Sequence, residues 1–283
     1  MTGLTNYSAD NVLNYVTGQT AMPALPAVYM ALFTAVGTDA GTGFTEVTGG
    51  SYARVQIAGS AVTNAATATS SAVIGHASTP AWVVAGMQAY DQTTGHVLGT
   101  VASTTGTTVT LSANTPFAIG SGDTINYSAF PQGSGTAPAS TSNGAIVTFA
   151  TATANWGTVV AFGLYDAASS GNLLLWDYMG NFAWMPASVS AASPGVITAH
   201  AHGIPTGGSF VFTTEYGGTA PTFSAGNYTG ILTAAAAATD TLQVTGVNTS
   251  ATGNGAIRQV TQQSIPQGVT ASFAASSFTI VAA

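Results

Sequence analysis

The chain has 283 residues, 46% of them hydrophobic and only 4% charged, with a formal net charge of −7. Arg54 and Arg258 are the two cations; there is no lysine and no cysteine. Disulfides and thiolate metal sites are thereby excluded, and two cations are too few to neutralise a phosphate backbone or an anionic lipid surface. Nucleic acid and membrane are therefore not expected as partners, and solubility falls to Thr, Ser, Asn and Gln.

The opening MTGLTNYSADNVLNYV has neither the basic start nor the apolar run of a secretory leader, so classical secretion is not expected. One helix is predicted from about Ala9 to Thr17, with Ser8 as N-cap and Gly18 as the stop. Ala9, Val12, Leu13 and Val16 recur at three and four residues and form one apolar stripe. Nearly everything after it reads as strands: VYMALFTA (28–35), SYARVQIAG (51–59), GAIVTFAT (144–151), TVVAFGLYDA (158–167), NLLLWDYMG (172–180) and SFTIVAA (277–283). These runs are short, β-branched or aromatic, and bounded by Gly, Pro, Asn or Ser. Several are apolar on both faces, as strands inside a sandwich are. The fold class that follows is all-β, an antiparallel β-sandwich core with one short N-terminal α-helix.

Two segments share a plan. Residues 70–128 and 193–247 each begin with Val-Ile shortly before a His, pass a Pro and a Gly, and end in Thr-rich alternation with a Thr-Leu strand. Hairpins of this kind build small β modules.

Taken together, SYAR (51–54) and TATANWGTVVAFGLYDAASSGNLLLW (151–176) resemble a family of small tailed-bacteriophage virion proteins known as tail fibre proteins. The helix in LTNYSADNVLNYVTG, the strand VYMALFTA, the acidic Gly-rich loop TDAGTGFTEVTGGSYAR and the final SFTIVAA follow in the family's order. The resemblance covers residues 1–60, 137–187 and 259–283, read as one β-sandwich core. Residues 61–136 and 188–258 interrupt it and resemble small inserted β modules of phage fibre and capsid decoration proteins. The resemblance implies a non-enzymatic structural protein, made in the host bacterial cytoplasm and exposed on the virion. Its partners would be itself, as a homotrimer, and capsid or tail proteins.

Three groups of residues are candidates for more specific roles. Arg54, inside SYARVQ, is expected to pair with an acid such as Glu46 or Asp166, or to anchor a neighbouring subunit. Trp156 and Trp176 fall in the core blocks and are expected to be buried, whereas Trp82, Tyr90, Trp184 and Tyr216 lie in or beside the insertions. These four are candidate contacts to a host-surface glycan. In TAHAHGIPTGG, His200 and His202 would share a face if extended, and three copies meeting on a threefold axis would complete a six-nitrogen metal site; Gly203 and Pro205 point instead to a turn.

Catalysis has less to stand on. No G-x-S-x-G nucleophile pattern occurs, and most of the nine acids sit in turns, where a carboxylate accepts backbone N–H bonds. No catalytic residue and no cofactor is therefore expected. A structural virion protein is the leading reading, a glycan-binding module the second, and a polysaccharide depolymerase, which needs two carboxyl groups facing one bond, the third.

Overall fold

The computed structural model describes residues 4–21, 27–134, 139–180 and 182–282. Helix α1 spans Asn6–Val16. Strands β1 (Val28–Ala35), β2 (Thr45–Glu46) and β3 (Val55–Val62) follow, then β4 (Val73–Gly75), β5 (Gln88–Asp91), β6 (His96–Thr104), β7 (Thr108–Leu111) and β8 (Thr124–Ser128). Next come β9 (Ala139–Ser142), β10 (Val147–Thr151), β11 (Gly157–Val159), β12 (Ala161–Tyr165) and β13 (Leu173–Tyr178). A second group holds β14 (Met185–Val189), β15 (Val196–Thr198), β16 (Ser209–Thr213), β17 (Thr222–Ala225), β18 (Leu232–Thr233), β19 (Thr241–Gln243), β20 (Asn248–Ala251) and β21 (Gly253–Gln259). The chain ends with β22 (Gln263–Ile265), β23 (Thr270–Phe273) and β24 (Thr279–Ala282).

The protein is all-β, with antiparallel pairing and one helix among the described residues. A ten-stranded sheet runs in the order β13-β12-β1-β3-β8-β5-β6-β7-β4, with β2 paired to β1. The pairing of β3 with β8 carries its ladder from residues 28–62 into β4–β8. A six-stranded sheet, β18-β16-β21-β14-β15-β19, is built wholly from residues 185–259. Near one end of each sheet a Val-Ile strand pairs with a strand carrying Thr and Leu, with Ile74 opposite Val109 and Ile197 opposite Leu242.

Strand β1 shows why these apolar runs need two layers. Its alternate side chains enter different cores, as a period of two dictates. Met30 and Leu32 face a core with Ile57, Tyr127, Phe149 and Trp156. Ala31 and Phe33 face another with Trp176, Val211 and Val260. Opposite Ala31 in the ladder stands Gly163, where a Cβ would lie 2.7 Å from both Phe33 and Leu173, so only glycine fits between those side chains. Trp156 and Trp176 are both buried.

The last strands close the layer over the first core. β22 pairs with β11, β23 with β10 and β24 with β9, and Ile265 and Phe278 join Phe149 and Trp156 inside. This explains one departure from the sequence reading. Residues 158–167 form two strands rather than one, because β11 belongs to this covering layer and β12 to the large sheet; the chain crosses at Val160, whose N–H bonds the Phe33 carbonyl at 2.9 Å. A second departure is that SYARVQIAG becomes extended only from Val55, since Ser51 has φ 65° and Tyr52 closes a turn onto Gly49.

The helix departs too. It begins at Asn6, with Thr5 as N-cap rather than Ser8, and the Thr5 side chain makes no capping bond. Its hydroxyl donates instead to the Leu173 carbonyl, and its N–H bonds Leu174 O at 3.2 Å. Thr5 is buried, but no helix residue is. At the other end Gly18 takes φ 73° just past the last turn, the left-handed conformation that stops helices.

Asn143 fastens the end of the chain. Its Nδ2 donates to the carbonyls of Ala145 (2.9 Å) and Ala274 (2.7 Å), and its Oδ1 accepts the Phe278 N–H at 2.9 Å. The side chain is fully buried, so Asn143→Ala takes away the partner of the Phe278 N–H and of the Ala145 carbonyl, while Ala274 O keeps the Ser277 hydroxyl, and is expected to cost about 3 kcal/mol. Denaturant unfolding measures that loss, and hydrogen exchange at the Phe278 amide should accelerate alongside it.

Candidate functional site

Both cations lie inside the protein, each held by a carboxylate. Arg54 has a side chain only 8% exposed; its Nε and Nη2 donate to the two oxygens of Glu46 at 2.9 and 2.7 Å. Nη1 donates to the carbonyls of Ala167 (3.0 Å) and Ser170 (2.7 Å), and the guanidinium lies 3.4 Å from the Tyr165 ring centre. Glu46 also accepts the Tyr52 hydroxyl at 3.0 Å, which itself accepts the Leu32 N–H. Burial opposes the charge on Arg54, but the bonds and charge of Glu46 outweigh it, and its pKa rises. The Tyr52 pKa rises as well, first through burial and then through Glu46.

Asp166 turns to Asn172 rather than to the guanidinium; its two oxygens accept the N–H and the Nδ2 of Asn172 at 2.7 and 2.8 Å. That closes the turn whose Ala167 and Ser170 carbonyls receive Arg54. The three residues thus meet at one loop, Glu46 by a two-pronged ion pair and Asp166 by shaping the acceptor turn.

The second pair is one that sequence reasoning did not find. Arg258, on β21, is 3% exposed and donates to both oxygens of Asp177 on β13 and to the Gly180 carbonyl at 3.1 Å. It lies about 6 Å from the ring centres of Tyr178 and Trp184. Burial, with the charge of Glu215 second, pushes the Tyr178 hydroxyl up to about 12. Because β13 belongs to the large sheet and β21 to the smaller one, this pair ties the two together. The available signal was elemental: in a chain with two cations, an Arg within the stretch GAIRQV must find an acid if that stretch is buried.

The aromatic candidates divide. Trp184 and Tyr216 come together, ring centres 5.6 Å apart, with Tyr216 58% exposed and the Tyr178 ring centre 6.5 Å from that of Trp184. Trp82 stands apart, half-buried in a groove with Gln56 and Met87. Tyr90 is also half-buried, in the middle of the large sheet opposite Val97 and Asn126.

His200 and His202 do not share a face. Ala201 takes φ 48°, which breaks the alternation. The His200 ring is exposed beside Asp240, Nδ1 to Oδ1 3.1 Å. His202 is buried, its Nδ1 accepting the Ile204 N–H at 3.0 Å and its Nε2 lying 3.3 Å from the Thr241 carbonyl. With both ring nitrogens engaged internally, His202 serves the turn and offers no lone pair to a metal. Asp240 is held below the usual carboxylate range, first by the Ala201 N–H and then by His200. Other acids also act locally: Asp91 accepts the N–H groups of Thr93 and Thr94, and Asp39 accepts the Trp176 indole at 2.9 Å.

These features define a class: an all-β chain whose cations are locked inside and whose described surface offers apolar and aromatic side chains. The sequence matches the family model described as Podophage GP4 fiber I protein gp80, over residues 3–131 and 128–182. That is more than half of the chain, and the protein belongs to this family of phage fibre proteins. The matched span runs from α1 through β13, takes in β4–β8, and stops before β14. No curated protein matches the chain.

Removing the Arg54 side chain strands Glu46 beside Tyr52 and leaves two carbonyls without their donor. Arg54→Ala is expected to destabilise the fold by about 3 kcal/mol, read as a lower denaturation midpoint. Arg54→Lys should recover only part of this, because a lysine cannot span both carboxylate oxygens and both carbonyls; a midpoint equal to wild type in either variant contradicts the role given to this pair.

Proposed function

We propose that this chain is a non-enzymatic structural component of the exterior of a tailed phage particle, acting through self-association and docking to other virion proteins. The observation that carries this reading is the family match over α1–β13. The distribution of exposed apolar side chains supports it: Leu4, Tyr7, Val12, Leu13, Tyr15 and Val16 all lie within the first sixteen residues. A face of this composition belongs in an interface. A homotrimer is the assembly we propose, after the resemblance to tail fibre proteins.

In the same reading, residues 61–136 and 188–258 are modules carried by a core of 1–60, 137–187 and 259–283. Closure of the six-stranded sheet within residues 185–259 supports the second boundary, as does the return of β22–β24 onto β9–β11. Antibody or gold labelling of intact particles tests the location: a few copies at the tail are expected. A regular lattice over the head would make the protein a capsid decoration instead.

A second reading, recognition of a host-surface glycan, is favoured by the Trp184–Tyr216 pair. An exposed tyrosine beside a tryptophan offers rings to the apolar face of a sugar, and the Glu215 carboxylate next to it can accept hydroxyl groups. Tyr216→Ala and Trp184→Ala are expected to abolish glycan-array binding while Tyr90→Ala leaves it intact. Silence of the wild-type protein across a broad array of bacterial surface glycans removes this reading.

A further inference from the structure

Each of the two larger sheets contains a closed ring. In the first, β3-β8-β5-β6-β7-β4 comes back on itself because the residues just after β3 pair with β4 and its end: Thr63 stands opposite His76, and the Asn64 N–H bonds the Gly75 carbonyl at 3.1 Å. In the second, β14-β21-β16-β18 continues through Ala235, which stands opposite Gln243 of β19, and β15 returns to β14. Both are antiparallel barrels. With β17 and β20 set aside, which pair with each other, the ring order in both is first, sixth, third, fourth, fifth and second strand along the chain.

The registers match as the order does. Ala61 faces Ile125 as Met185 faces Ile257, Gln88 faces Thr100 as Ser209 faces Thr233, and Ile74 faces Val109 as Ile197 faces Leu242. The Gly86 N–H bonds Val101 O and the Val101 N–H bonds Met87 O, both at 2.8 Å; Gly207, Ala234 and Gly208 repeat that exchange at 2.8 and 2.9 Å. Gly86 and Gly207 also share a left-handed backbone, φ 90° and 84°. A general preference for sheets supplies neither a common ring order nor a common register.

We infer that residues 185–260 are a second repeat of the barrel formed by residues 55–128, with one outward face recast as a dock for the sandwich. The family match takes in the first barrel and stops before the second. On the first barrel Ser60 and Tyr90 both stand opposite Asn126, with Ser128 two residues further on, so the four share the outward face. The matching positions in the second barrel are Trp184, Val211, Arg258 and Val260. There Trp184, Val211 and Val260 pack with Phe33 and Trp176, and Arg258 holds Asp177. The partner this face fits is an apolar sheet face carrying one carboxylate, which β1 and β13 provide.

Inside, the two repeats fill the same space from opposite strands. Ala89 faces Tyr127, and Phe210 faces Gln259; Ala89, Tyr127 and Phe210 are fully buried. The ring comes from β8 in one barrel and from β16 in the other, a volume-conserving exchange of the kind cores accept. His76, which bonds the Tyr127 hydroxyl at 2.7 Å, is matched by Ala199: their N–H groups bond Thr107 O and Asp240 O in turn.

Two sets of variants of the full chain test this. Trp184→Ser, Val211→Tyr and Arg258→Asn together give the second barrel the outward residues of the first. Because the chain has no cysteine, Val260→Cys adds a single thiol at this buried contact. That thiol should resist a thiol reagent in the otherwise wild-type chain and react in the triple variant, while the amides of Ile197, Leu242 and Ile257 stay protected from hydrogen exchange. An unreactive thiol in the triple variant overturns the docking face, and loss of protection at those three amides overturns the barrel as a unit of its own. In the second set, Phe210→Ala should lower the melting temperature, and adding Gln259→Tyr should recover part of the loss, since a tyrosine at the matching position fills the first barrel. A double variant no more stable than Phe210→Ala overturns the equivalence of the two interiors.

Discussion

Strand β1 is buried on both faces, and much of the molecule is arranged around satisfying it. Met30 and Leu32 require a covering layer on one side, which β9–β11 supply only after β22–β24 return from the far end of the chain to pair with them. Ala31 and Phe33 require cover on the other side, where Phe44, Trp176 and Trp184 meet Val211 and Val260 from beyond the large sheet. A strand with alternating apolar and polar residues would need one layer; VYMALFTA needs two. The six-stranded sheet is thus coupled to the larger one through shared apolar contacts and the Arg258–Asp177 pair.

That pair illustrates how a chain with two cations uses them. A buried guanidinium without a carboxylate would be prohibitively costly, and a buried ion pair adds little net stability over apolar packing, but it fixes which groups must meet. Here each arginine makes a two-pronged bond to one carboxylate and donates further to backbone carbonyls, Ala167 and Ser170 in one case and Gly180 in the other; the buried Nε of Arg258 has no hydrogen-bond partner. The described surface is left with acids, hydroxyls, amides, apolar side chains and the exposed His200. Among the described residues, five of the exposed large apolar side chains lie on α1, from Tyr7 to Val16.

Legibility in the sequence followed distance along the chain. The strands at 28–35 and 172–180 were readable because their own residues specify extended, apolar backbone. Glu46 was a natural partner for Arg54, eight residues away across a Gly-rich turn. Asp177 was not a natural partner for Arg258, 81 residues away in another sheet, because nothing local to either residue records the crossing. The histidine pair lacks a common face for a local reason: two-residue spacing gives one only if the residue between is extended, and Ala201 is left-handed, at the turn that Gly203 and Pro205 had pointed to. The helix start shifted because the Thr5 hydroxyl bonds a β13 carbonyl, a partner 168 positions on.

By itself, the amino-acid sequence determined the all-β class, the N-terminal helix, the absence of thiol chemistry and the poverty of positive charge. These depend on residue type and short-range periodicity alone. Tertiary structure alone decided which strands pair, why 158–167 divides at Val160, where both arginines point, and that the helix stripe stays uncovered while an uncharged groove opens beside Trp82. Each of those outcomes requires residues far apart in the chain to meet in space, and an antiparallel ladder accepts many such partners until side-chain volume and buried charge select among them.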